Sequence, residues 1–163
     1  MNALTSMSTT TTTDLELTRE HLKEARAFVI ARSAPAEPRE GDLLFVYGTL
    51  KRAFNNHYLL GNAEFKGNAV TDQSYPFEFI CLLPLPGHGM QVKGELYVVP
   101  LQRWRDLDML EGHPNGYRRL MVDVTTADGV PHKAWIYFYL HFSAGDCMQC
   151  CSEFTGSFTG SRF

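Results

Sequence analysis

The sequence predicts a small barrel-like α+β domain. Strand-like runs follow one another at roughly 8–12-residue spacing, and a single well-formed helix lies between them. The chain of 163 residues, 44% of them hydrophobic, is long enough to bury one core without disulfide or metal staples.

In chain order, residues 1–13 form a Ser/Thr tract whose composition cannot bury a core, which predicts disorder. From Asp14 a helix is expected. Leu15, Leu22, Ala25 and Val29 recur near the 3.6 period, with Thr13 or Asp14 as N-cap. The stretch "SAPAEPREGD", with Pro35, Pro38 and Gly41, reads as a linker, so residues 1–40 are set apart from a body at 41–142.

Within that body, residues 43–47 form a short apolar run, and Val92, Gly94, Leu96 and Val98 alternate in "MQVKGELYVV". "YRRLMVDVTT" also alternates, and "KAWIYFYLHF" is aromatic and β-branched, so both are expected as strands. The helix is "PLQRWRDLDMLEG", where Pro100 suits the first turn and Gly112 the position past the end. At about 100° per residue from Leu101, residues Trp104, Leu107 and Leu110 span an apolar arc centred at about 270°. Glu111 falls at about 280°, which points a carboxylate into that face on the last turn. There the helix's negative end and a low dielectric both favour the neutral acid. Residues 143–163, with Cys147, Cys150 and Cys151, are expected as a flexible tail.

A net charge of -3 gives no electrostatic reason to expect nucleic acid. No apolar run is long enough to span a bilayer and no targeting pattern is visible, so a cytoplasmic protein with no membrane partner is expected. Cys147 and Cys150 lack a second pair at zinc spacing, and Cys81 sits in the apolar "FEFICLL", where a thiol is usually inert. No Gly-x-Ser-x-Gly elbow is present.

Two polar features remain. After the apolar run ending at Tyr47, Gly48 admits a sharp turn, and Thr49 and Leu50 can present successive backbone N–H groups to an anion. An ordinary turn would use the same residues. Glu111 is compatible with acid/base chemistry and equally with pairing to Arg103, Arg118 or Arg119. Asp108 leans inward as well and could orient a loop by accepting backbone N–H groups.

Taken together, "FVYGTLKRAFNNH", "VKGELYVV", "LDMLEGHPNGYRR" and "AWIYFY" resemble the gamma-glutamylcyclotransferase-like family, and most of all its gamma-glutamylamine cyclotransferase branch. The resemblance implies a small mixed β-barrel with flanking helices. It also implies that the backbone of Tyr47, Gly48, Thr49 and Leu50 grips the α-carboxylate of a small-molecule γ-glutamyl substrate, with Glu111 as acid/base. The substrate's own α-amine is then the nucleophile and 5-oxoproline the product, so no cofactor or metal is called for. A carboxylate-binding module of the same fold without turnover is the other reading. Where the family commonly reads Lys-Arg-Gly this chain has Ala53, and the middle segment "QSYPFEFICLLPLPGHGM" departs from the pattern.

Overall fold

The computed structural model describes residues 11–156; residues 1–10 of the Ser/Thr tract and 157–163 of the tail lie outside the described residues. In chain order the elements are β1 (Thr13–Glu16), α1 (Arg19–Ala31), β2 (Leu43–Val46), β3 (Glu64–Tyr75), β4 (Phe77–Glu78), β5 (Cys81–Leu82), β6 (Met90–Val98), α2 (Trp104–Glu111), β7 (Tyr117–Thr126), β8 (Pro131–Tyr139) and β9 (Cys147–Cys150). Short 3-10 turns at His57–Leu60 and Leu101–Arg103 precede β3 and α2.

Strands β2, β6, β3, β7 and β8 pair in that order and close into a barrel, which is the α+β class the sequence predicts. All neighbours are antiparallel except β2 and β8, which run parallel with Leu44 opposite Trp135. Because strand side chains alternate, β2, β6, β7 and β8 each feed two clusters. Phe45, Val92, Leu96, Val122, Ile136 and Phe138 belong to one. On the opposite faces Leu44, Val46, Tyr97, Trp135 and Tyr137 pack with Trp104 and Leu107 of α2. Burying side chains of this size contributes roughly 1.5–3 kcal/mol each, which fixes α2 against the barrel wall.

Gly94 marks a close approach within this frame. A Cβ there would stand 2.3 Å from the Val46 carbonyl oxygen and 2.6 Å from the Phe45 ring, so β6 can lie this near β2 only without a side chain. Strand β3 carries two register shifts, between Phe65 and Gly67 and between Val70 and Ser74, which bend it around the barrel.

The N-terminal region differs from the expected helix at Asp14. Residues Thr13–Glu16 are a strand, and α1 starts five residues later behind the N-cap Thr18. Thr18 and His21 cap each other, the Thr18 Oγ1 accepting the His21 N–H and the His21 Nδ1 accepting the Thr18 N–H. Leu15 pairs with Met148 instead of continuing the helical stripe. Phe28 of α1 meets Phe138 edge to face at 5.7 Å, and Leu17 and Ala25 are buried beside Leu83 and Leu85.

The tail is corrected in the same way. Cys147–Cys150 is a strand antiparallel to β1, with Met148 and Cys150 buried and Cys147 and Gln149 exposed. The alternation Cys-Met-Gln-Cys therefore serves a pairing between opposite ends of the described chain, and residues 151–156 continue across the barrel.

Candidate active site

A cavity of 170 Å³ opens where β2 ends, and its wall includes Tyr47, Gly48, Thr49 and Leu50 together with Leu110 and Glu111. All five residues singled out in the sequence are thus brought to one cavity. Phe45 and Val46 of β2 also line it, and Asn56, Ile80, Tyr117 and Tyr137, which the sequence does not single out, complete the lining. These last four come from a loop, the β4–β5 hairpin, the start of β7 and the end of β8, so only long-range pairing places them together.

The turn after β2 is held from behind. Lys51 N–H donates to the Gly48 carbonyl (3.1 Å) and Asn56 N–H to the Thr49 carbonyl (3.2 Å), while the Asn56 side-chain amide donates to Thr49 Oγ1 (2.9 Å). The backbone N–H groups of Gly48, Thr49 and Leu50 donate to no acceptor among the described residues. Gly48 is not in a left-handed conformation, and a Cβ on it would meet only Ile80 Cγ2, at 3.9 Å. Backbone geometry and packing therefore tolerate a side chain here. What a side chain would take is space in the cavity, since Gly48 and Ile80 both line it.

Glu111 is the last residue of α2. Gly112 caps the helix in the left-handed region (φ 68°), and the His113 N–H closes back on the Asp108 carbonyl at 3.0 Å. The Glu111 carboxylate has neither hydrogen bond nor ion pair among the described residues, and burial pushes its pKa from 4.5 up to about 7. None of the three candidate arginines Arg103, Arg118 and Arg119 pairs with it among the described residues, and Arg119 is committed elsewhere. Arg119 makes a bidentate pair with Asp108, Nε to Oδ1 at 2.8 Å and Nη2 to Oδ2 at 2.9 Å, and also donates to the Ala36 carbonyl. Asp108 accepts the Tyr137 hydroxyl as well, at 2.7 Å, so it anchors side chains where the sequence suggested backbone N–H groups.

Three tyrosines surround Glu111 with fixed hydroxyls. Tyr47 donates to the Tyr137 carbonyl (2.5 Å), Tyr137 to Asp108, and Tyr117 to the Ile80 carbonyl (2.8 Å). Burial pushes all three above the ordinary tyrosine range, with the nearby Glu111 adding to the shift, so they stay neutral donors. Burial likewise raises the thiols of Cys81, Cys150 and Cys151, which keeps them protonated and weakly nucleophilic at neutral pH. The arrangement brings to one cavity an ionisable group poised near neutrality and a turn of N–H groups, both without partners among the described residues.

Comparison with known proteins gives a consistent family. The model of the gamma-glutamyl cyclotransferase, AIG2-like family matches residues 44–152. Gamma-glutamylaminecyclotransferase from Mus musculus is 36% identical over 122 residues, covering 66% of this chain and 73% of the mouse protein. The protein of that name from Homo sapiens is 40% identical over 93 residues, covering 50% of this chain and 61% of its own length. The crystal structure of an AIG2-like protein from Mus musculus superimposes with a TM-score of 0.59 at 33% identity, covering 64% of this chain and 81% of that one.

Proposed function

The chain belongs to the gamma-glutamyl cyclotransferase, AIG2-like family, and from that premise we propose that it converts a γ-glutamyl amine, or another small γ-glutamyl compound, to 5-oxoproline and a free amine. The observation that carries the reading is that the Glu111 carboxylate and the turn of Gly48, Thr49 and Leu50 line one cavity, the carboxylate and the three N–H groups all without a partner among the described residues. The turn accepts the substrate's α-carboxylate, as backbone N–H groups suit an oxyanion. Folding the γ-glutamyl chain back on itself sets its α-amine against its own γ-carbonyl carbon.

In this mechanism Glu111, as carboxylate, takes a proton from the α-ammonium. The freed amine nitrogen attacks the γ-carbonyl carbon, a new C–N bond closes the five-membered ring, and the amide C–N bond to the leaving amine breaks. Glu111 returns the proton to the departing nitrogen, and the second proton that the ring nitrogen sheds as it becomes the lactam N–H leaves with the released amine as its ammonium form. A pKa near 7 suits both directions of transfer, since neither the acid nor the base form is scarce at neutral pH. Holding the substrate in this folded conformation supplies much of the rate, because the reaction is intramolecular and ring closure costs little once the ends are fixed. In this mechanism the protein needs no nucleophile of its own, which fits the raised thiols of Cys81, Cys150 and Cys151.

Release of 5-oxoproline across a panel of γ-glutamyl amines and peptides tests the reading. Turnover of at least one member is expected, and Glu111→Gln should lower kcat by about 10²–10⁴ without loss of fold. Unchanged turnover in the mutant would overturn the role given to Glu111. Binding of 5-oxoproline by calorimetry with no turnover of any panel member would instead favour a binding module.

A further inference from the structure

The turn at Gly48 is attached to a part of the chain that lies beyond the family match, which ends at residue 152. Lys51, directly after the turn, is buried, and its Nζ donates to the backbone carbonyl of Phe154 at 2.8 Å. Two residues on from Arg52, Phe54 packs its ring against that of Phe154 at 5.1 Å. Gly156 closes on the same ring so tightly that a Cβ would stand 2.6 Å from Phe54 Cε1. The β4–β5 hairpin is reached too. Phe79, which precedes the cavity residue Ile80, meets Phe154 at 5.7 Å, and the Cys151 N–H donates to the Phe77 carbonyl at 2.8 Å.

Residues 151–156 therefore tie together two loops that both line the cavity, the turn at Gly48 and the hairpin carrying Ile80. We infer that this segment is a strap that sets the spacing between the anion turn and the hairpin carrying Ile80, with Lys51 as the positioning residue that couples it to Gly48. The inference rests on the reading of that turn as the carboxylate site. Lys51 does not line the cavity; it acts through the strap on Gly48, whose carbonyl accepts the Lys51 N–H. Its charged amine on a buried carbonyl is a stronger link than a neutral hydrogen bond. A bond of this kind restricts the turn without touching substrate, so its loss is expected in binding more than in chemistry.

The experiment uses the full chain and three variants. Lys51→Met removes the donor while keeping an unbranched apolar stem over Phe54, Lys51→Arg restores a donor, and Gly156→Val leaves Lys51 intact but forces the strap off the Phe54 ring. On whichever γ-glutamyl compound the wild type turns over, Lys51→Met and Gly156→Val should raise KM about tenfold or more with kcat within about threefold, and Lys51→Arg should recover most of the loss. Hydrogen exchange supplies a readout independent of turnover. The amides of Lys51 and Asn56, which donate to Gly48 and Thr49, should exchange faster in Lys51→Met and Gly156→Val, while those of β6 and β8 keep wild-type rates. If the wild type turns over nothing, the functional reading fails and the exchange result alone decides the strap. Wild-type exchange at Lys51 and Asn56 in both variants would overturn it, as would an unchanged KM in an active enzyme.

Discussion

Asp108 and Glu111 sit one turn apart on α2, and each was a candidate for either a structural or a chemical role. Asp108 ends with three side-chain hydrogen bonds, two from Arg119 and one from Tyr137. Glu111 ends with none and faces the cavity. Neither is fully buried. What separates them is the presence of a partner: a carboxylate neutralised by a guanidinium contributes to the fold, whereas one left alone in a low dielectric is kept near its own titration point. The same contrast holds between two glycines. Packing forbids a side chain at Gly94 and tolerates one at Gly48.

The first of these contrasts is tested most sharply at Asp108. Asp108→Ala leaves the guanidinium of Arg119, a residue only 3% exposed, without its main partner, and should cost about 3 kcal/mol of stability by denaturant unfolding. An equal loss in Glu111→Gln would erase the distinction between the two acids.

The next effect runs in the opposite direction. With a folded pKa of about 7 against 4.5 for the free side chain, native protein binds a proton at Glu111 that the unfolded chain has released. This contribution is fully present below pH 4.5 and lost as pH rises through 7. Glu111→Gln should therefore be about 1–3 kcal/mol more stable relative to wild type at pH 8 than at pH 4. Parallel pH–stability curves would show that Glu111 titrates normally. In the proposed turnover the sign reverses, because that mechanism starts from the base form, so wild-type kcat/KM should rise through pH 7.

For the glycine pair, Gly48→Ala should raise KM about tenfold while changing stability by less than about 0.5 kcal/mol. A large loss of stability would mean that the fold needs that glycine after all. The smallest effect concerns Ala53, which holds a left-handed backbone (φ 73°) that suits glycine better than alanine. Ala53→Gly should stabilise the protein by about 0.5–1 kcal/mol, measured as a shift in the unfolding midpoint.

Much of the barrel and the pairing of the two site motifs could be read from the chain. β2, β6, β7 and β8 show clean alternation or continuous apolar runs, and the angular position of Glu111 on α2 matches its burial. Leu110, placed on the same apolar arc, is 41% exposed at the edge of the cavity, because the arc is wider than the surface α2 covers. β3 was not legible, since two register shifts break its period of two. β1 and β9 were missed for another reason. Each is only four residues long, and neither has a local partner, so the signal that makes Leu15 a strand residue is Met148 at the other end of the chain. Ile80 and Tyr117 were hidden likewise, because their hydrogen bond joins a hairpin to a distant strand.

The close approach of β6 to β2 at Gly94 also bears on how such a sequence can drift. Every single-base amino-acid change of a glycine codon adds a side chain, and here the smallest of them already meets the Val46 carbonyl and the Phe45 ring. Val46 immediately precedes Tyr47, so a methyl group that pries the seam open would be felt at the entrance to the cavity. The seam beneath the cavity is thus locked at the level of the codon.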